Sequence, residues 1–328
     1  MKKYMLLIID LAILIIIMST LIILFKPDEL IEDNTEKIEI IATLFPQYDF
    51  AKHIVGDKAD VTLLIKSGVE THNFEPTQKD MININNSDLF LYTGEELEPW
   101  TAEISNSISS NLKFANISEN IELIDMHEFE EKYENDNIVK ENHEDEHEEE
   151  HSRDAHIWLN PNNAVKMIDN ILEEIIKLDE ENSDFYRKNA EDYKKQILNL
   201  DKEIEETVIN APIKELAFGG EFAYSYFIER YNLNFVSVYT NCGHGEDPSI
   251  SRVKSVIDYI NKNNIKVVFY EELSEGTVAK MIAEETEAKP LVLYTIHNAS
   301  TEGENPDTYV SLMKKNLENL KQALYVQK

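Results

Sequence analysis

The chain carries a single cysteine, Cys242, among 328 residues. An intrachain disulfide is therefore excluded, and a chain of this length has core enough to fold without one. Cys242 reads as a buried or half-buried thiol, not a nucleophile. Basic residues are also scarce: 31 Lys and Arg stand against 63 Asp and Glu, for a formal net charge of −32. That field argues against nucleic acid or an anionic membrane surface as the main partner, and it suits a cation. HExxH, GxSxG and Walker A motifs are missing as well, which removes the short signatures of zinc proteases, serine hydrolases and P-loop NTPases. Hydrophobic residues make up 42%, so global disorder is excluded, and the length allows two ordinary domains.

One apolar run stands out. Lys2 and Lys3 precede Tyr4 to Phe25, which is apolar except for Asp10, Ser19 and Thr20. Its length at helical rise is ~33 Å, about one hydrocarbon core. Lysines before it and a strongly acidic chain after it place the N-terminus inside and the rest outside the cell membrane. No A-x-A site and no lipobox cysteine follow, while Asp10 would be costly at mid-membrane. Residues 1–27 are thus an N-terminal anchor or a signal segment, with an uncleaved anchor favoured over cleavage and secretion. Residues 28–36 form an acidic spacer.

The next part alternates strand and helix signals. Strands are expected at Lys37–Leu44, Ala59–Ser67, Asp88–Gly94 and Ile121–Met126, with helices at Tyr48–Val55 and Trp100–Ser109. Thr77 is placed to cap a helix containing Asp80. From Glu128 to Arg153 the chain is acidic and polar, and a solvated loop is expected; it holds His143, His147 and His151. From Asn182 to Ile209 a helix of roughly 40 Å is expected, with Phe185, Asn189, Tyr193, Ile197, Leu200, Ile204 and Val208 on one face. Strand signals then return at Leu216–Gly219, Phe235–Thr240, Lys266–Tyr270 and Leu291–Thr295. Helix signals lie at Phe222–Tyr231, Pro248–Asn263, Gly276–Glu287 and Thr308–Tyr325. The fold class is α/β: lobes 37–181 and 210–328, each with a parallel sheet, joined by one long rigid helix, 182–209. Two such lobes facing each other make a cleft, and open parallel sheets bind ligands beyond the carboxyl ends of their strands.

Four residues sit at such positions. His72 follows the second strand in GVETHNFEPT, and His156 lies in DAHIWLNP where order resumes. Glu221, in FGGEFA, opens the second unit, and His297, in YTIHN, follows its last strand. Imidazole nitrogens and carboxylate oxygens suit zinc, manganese or iron, and four of them would close a tetrahedral site. A lone histidine is usually a surface or hydrogen-bonded residue, and His53, His127 and His244 are read that way.

Together GVETHNFEPT with Asp80, DAHIWLNP with Asn163 and Ala164, YSYFIERYNL, EDPS at Glu246–Ser249 and TYVSLMKKNLENLKQAL resemble the metal-binding receptors of ABC importers, the cluster A-I or cluster 9 family. The resemblance runs from Lys37 nearly to the C-terminus. It implies a monomeric extracytoplasmic receptor that holds a metal ion between its lobes and delivers it to a permease and ATPase complex, without catalysis. His72 and His156 match the family's first two ligands. Glu221 falls where zinc members carry His and manganese members carry Glu. His297 falls one residue from the fourth ligand, commonly Asp. Acidic histidine loops before the second ligand resemble those of zinc receptors, so Zn2+ is the expected cargo and Mn2+ the alternative. A metallohydrolase, a surface adhesin and a metal buffer are the readings from other classes.

Overall fold

A computed structural model describes residues 37–105, 108, 112–133, 153–239, 248–301, 303 and 306–325. The expected anchor and spacer, Cys242, His244 and the three loop histidines lie outside these residues. Among the described residues no helix is long and apolar enough to cross a membrane.

The first lobe runs β1 (Ile38–Ala42), α1 (Phe45–Val55), β2 (Ala59–Leu63), α2 (Gln78–Asn86), β3 (Leu89–Tyr92), α3 (Trp100–Ser105) and β4 (Lys113–Asn116). A two-residue ribbon pairs β5 (Ile124–Asp125) with β6 (Arg153–Asp154) and brackets α4 (Met126–Tyr133). Then come α5 (Pro161–Leu178) and the long α6 (Ser183–Ile209). The second lobe is β7 (Glu215–Phe218), α7 (Ser225–Tyr231), β8 (Asn234–Ser237), α8 (Ile250–Asn263), β9 (Val267–Tyr270), α9 (Thr277–Glu284), β10 (Lys289–Val292) and α10 (Tyr309–Leu324).

Both main sheets are parallel, ordered β2-β1-β3-β4 and β10-β9-β7-β8. Renumbered within its own lobe, the second order is the first one read backwards, so the lobes repeat one topology. In each, the chain reverses direction about its first strand, and the strand ends there open a crevice.

Side-chain alternation layers the core. Ile40 and Ala42 of β1 and Leu89 and Leu91 of β3 face inward, as do Leu216 and Phe218 of β7 and Val267 and Phe269 of β9. These form one continuous central core with Tyr186, Ala190, Tyr193, Ile197, Leu200, Ile204 and Val208 of α6. Ile41 and Phe90 point the other way into a small outer cluster, and Ala217, Val236 and Val268 do so in the second lobe.

The long helix is fastened to both lobes. Asn189 donates to the Ile54 carbonyl at 3.1 Å, and the Tyr193 hydroxyl donates to buried Asp49. Further along, Arg230 grips Asp201 at 2.7 and 3.0 Å, and Tyr231 joins at 2.9 Å. A helix held this way behaves as a strut.

Three expectations need correction. The buried stripe of α6 begins at Tyr186 and Ala190, not at Phe185 and Asn189; Phe185 is 37% exposed. Glu128–Tyr133 is not loop but the body of α4, because Phe129 packs on Phe222 and Phe235 across the ribbon. The strand expected at Ile121–Met126 shrinks to the two residues of β5, and the fourth strand of the first sheet is Lys113–Asn116.

Candidate metal centre

His72, His156 and His297 converge. One ring nitrogen from each lies within 4.8 Å of the others. The ring centroids are 5.7, 5.3 and 4.5 Å apart for the pairs His72–His156, His72–His297 and His156–His297. Trp158 walls the group, edge-on to His156 and His297 at 5.5 Å each, and its indole N–H donates to the Thr295 carbonyl at 2.7 Å.

Each buried ring is oriented from behind. Asp154, at the end of β6, accepts from the His156 backbone N–H at 2.8 Å and from His156 Nδ1 through the same oxygen. Its other oxygen accepts from the Ser225 hydroxyl at the start of α7, and its carbonyl accepts from Tyr226 at 2.8 Å. Burial pushes the Asp154 carboxyl up, but electrostatic attraction to the His156 ring and the hydrogen bonds from His156 and Ser225 outweigh it and hold it below the usual carboxylate range.

His297 is held by a parallel device. Its Nδ1 lies 2.7 Å from Thr295 Oγ1, and that hydroxyl donates to Glu272 Oε1 at 3.0 Å. A hydroxyl that has spent its proton on a carboxylate can only accept, so His297 Nδ1 carries the hydrogen. In both rings, therefore, Nε2 keeps its lone pair, and each Nε2 is buried without a hydrogen-bond partner. Two lone pairs on rings whose centroids stand 4.5 Å apart repel unless a cation lies between them. Burial, with repulsion from His156 and His72, holds the His297 pKa well below the ordinary histidine range, which keeps this nitrogen free for a metal.

The backbone is bent to place His297. Ile296 has φ +64°, an outlier for a β-branched residue. Glu272 accepts from the N–H groups of Thr295 and Ile296 at 2.8 and 2.9 Å and so fixes that turn. One residue on, Asn298 reaches into the first lobe: it accepts from Gly68 N–H at 3.0 Å and donates to the carbonyls of Lys66 and Val69 at 3.2 and 3.1 Å. The loop leading to His72 is thereby stitched to the segment that carries His297. Beyond His72, Thr77 caps α2 as expected, exchanging hydrogen bonds with Asp80.

Glu221 does not join the histidine trio. It lines a cavity of 260 Å³ together with Glu70, His72, Glu271, Thr295 and His297. Sequence reasoning did not find Glu271, Glu272, Thr295, Asn298 or Ser225. Glu271 and Glu272 follow β9 directly, so the position rule that selected Glu221 and His297 could have selected them.

What the site resembles follows from comparison with known proteins. Residues 40–323 match the family ZnuA, described as the zinc-uptake complex component A, periplasmic. The chain belongs to this family. It is 36% identical over 305 residues to the high-affinity zinc uptake system protein ZnuA of Bacillus subtilis (strain 168), covering 90% of each chain. It is 30% identical over 295 residues to the zinc-binding protein AdcA of Streptococcus pyogenes serotype M3, covering 87% of this chain but 56% of that one, so it spans about half of AdcA. The crystal structure of the metal-dependent lipoprotein YcdH from Bacillus subtilis superposes with a TM-score of 0.72 at 34% identity, over 88% of this chain and all of that chain. Membership of the ZnuA family agrees with the α/β architecture of two like lobes seen here.

Proposed function

We propose that this protein captures one Zn2+ in its interlobe cleft and delivers it to the permease and ATPase of an ABC importer. His72, His156 and His297 bind the ion, and Glu221 supplies a carboxylate from the cavity wall. The observation that carries this reading is the pair of buried Nε2 atoms with no partner, beside a third imidazole and inside a rim of glutamates. Three imidazoles and a carboxylate suit zinc at ~2.0–2.2 Å, and the Irving–Williams order places zinc above manganese at such a set. The relatives named for zinc uptake and zinc binding favour the same ion. The carboxylate at position 221 is what favours manganese as the second reading.

Capture needs no covalent chemistry, so the protein acts as a monomeric receptor and not as an enzyme. Lobes 37–181 and 210–328 close on the ion with helix 182–209 as a stiff hinge. The apolar run Tyr4–Phe25 tethers the receptor outside the membrane, in the role that lipidation plays in a relative named as a lipoprotein.

Titration calorimetry on residues 36–328 tests this, with Zn2+ and Mn2+ as ligands. One tight zinc site per chain is expected, with manganese far weaker. His72→Ala, His156→Ala and His297→Ala should each cost more than the ~10–100-fold typical of an outer-shell partner. Zinc binding unchanged in the three variants would sink the reading.

A further inference from the structure

A second carboxylate reaches the same cavity; Ser274 and the Glu221 backbone donate to it, yet one of its oxygens is left over. Glu271 follows β9, lines the cavity with His72, Glu221 and His297, and has one oxygen, Oε2, buried without a hydrogen-bond partner. The sequence makes room for it deliberately. A Cβ on Gly219 would lie 2.7 Å from the Ala279 Cα of α9, so that glycine serves packing. A Cβ on Gly220 would overlap Glu271 Oε2 itself and lie 3.0 Å from the Tyr270 Cα. Gly220 therefore leaves the space in which the Glu271 carboxylate rests, one residue before Glu221.

Among the described residues no lysine or arginine lines this cavity, while Glu70, Glu221 and Glu271 all do. Charge balance among the direct donors favours two carboxylates over one. Three neutral imidazoles and one carboxylate leave a divalent ion with one net positive charge in a largely buried site; a second carboxylate cancels it. A cation also provides the partner that Oε2 lacks.

Building on the zinc-receptor reading above, we propose that Glu271 is a second carboxylate ligand, so that the cavity offers three imidazoles and two glutamates to the ion. The set is five-donor in the closed receptor, and its oxygen share narrows the margin of zinc over harder divalent ions. Glu271 comes from the second lobe beside Glu221, so the two glutamates hold one side of the ion while His72 holds the other.

The test uses the full receptor with Glu271→Gln, Glu271→Asp and Glu221→Gln, each checked for folding by circular dichroism. Zinc affinity is read by competition with a chromophoric chelator, and coordination number by the visible absorption of the Co2+ form. Glu271→Gln should weaken zinc at least ~10-fold. It should weaken Mn2+ more than zinc, and raise the Co2+ absorption several-fold as five donors become four. Glu271→Asp keeps the charge but loses reach, so it should follow Glu271→Gln. Zinc affinity within about twofold of wild type and an unaltered Co2+ spectrum in Glu271→Gln would overturn the proposal and leave the histidine site standing. Glu271→Asp behaving as wild type would overturn it too, since charge alone would then be the whole effect. A wild-type protein that fails to bind zinc overturns the receptor reading, and this inference with it.

Discussion

Replacing Asp154 separates two things that one carboxylate does for His156: it fixes which nitrogen carries the hydrogen, and it places a negative charge behind the ring. In Asp154→Asn the amide oxygen still accepts from the His156 backbone N–H and from Nδ1, and the amide nitrogen can donate to Ser225, whose hydroxyl turns to accept. Geometry survives and charge is lost. A hydrogen bond to a charged group contributes ~1.5–3 kcal/mol against ~1 kcal/mol for a neutral one, so zinc should bind ~10-fold more weakly. In Asp154→Ala three donors lose their acceptor in a buried place and the ring is free to turn. The expected loss is then ~100-fold, the upper end for an outer-shell partner. Chelator competition at fixed pH measures both, and the thermal midpoint of the metal-free proteins shows how much Ala destabilises the fold itself. Equal losses in Asn and Ala would refute the division into charge and orientation. Wild-type affinity in both would refute any orienting role.

Two other positions give independent tests. Glu98 is buried under four donors, from Thr43, Gln47, Thr93 and Gly94, yet burial wins and pushes its carboxyl from 4.5 up to about 7. Between these values the folded chain holds a proton that the unfolded chain has released. Stability should therefore fall as pH rises through that window, by ~3 kcal/mol at ~1.4 kcal/mol per unit, and Glu98→Gln should flatten this slope in urea melts compared across pH. Asn298→Ala removes the stitch between Lys66–Val69 and the His297 segment. It leaves Gly68 N–H and two carbonyls without that partner, and zinc release in stopped flow should quicken ~10-fold while His156-based contacts persist. An unchanged release rate would show that the His72 loop holds its place without help.

The lobes and the strut were legible because long periodic segments and apolar strand runs report burial directly. Short or mixed segments were not. Lys113–Asn116 is a four-residue edge strand reading KFAN, too polar to signal a sheet. The helix Pro161–Leu178 is strongly amphipathic, with Ala164, Met167, Ile168, Ile171, Leu172 and Ile175 buried after an Asn160 cap, but its signal is masked between the acidic loop and the longer helix. Phe129 and Tyr133 are two aromatics in an acidic run, and only the fold shows that Phe222 and Phe235 receive Phe129, with Tyr133 packed beside it. At the site, His72 and His297 could be singled out because each follows an expected strand, and His156 because it stands in DAHIWLNP where order resumes. Their supports were not, because Glu272 and Asn298 act on backbone groups, and no residue pattern announces which amide a carboxylate will hold.

The continuous central core has a consequence for engineering new receptors. Recombination among relatives that treated the lobes as interchangeable cassettes would cut at the connecting helix. Here the inner faces of both sheets and the buried stripe of the helix belong to one packed cluster. A cassette boundary anywhere in Ser183–Ile209 would set side chains from two different ancestries against each other across a close-packed seam, where overpacking alone costs ~1–3 kcal/mol per misfit. Safer crossovers lie in the outer layers, where Ile41, Ile84, Phe90 and Trp100 form a cluster of their own. Metal preference should accordingly be exchanged by grafting the loops beyond the strands, with the lobes kept as inherited.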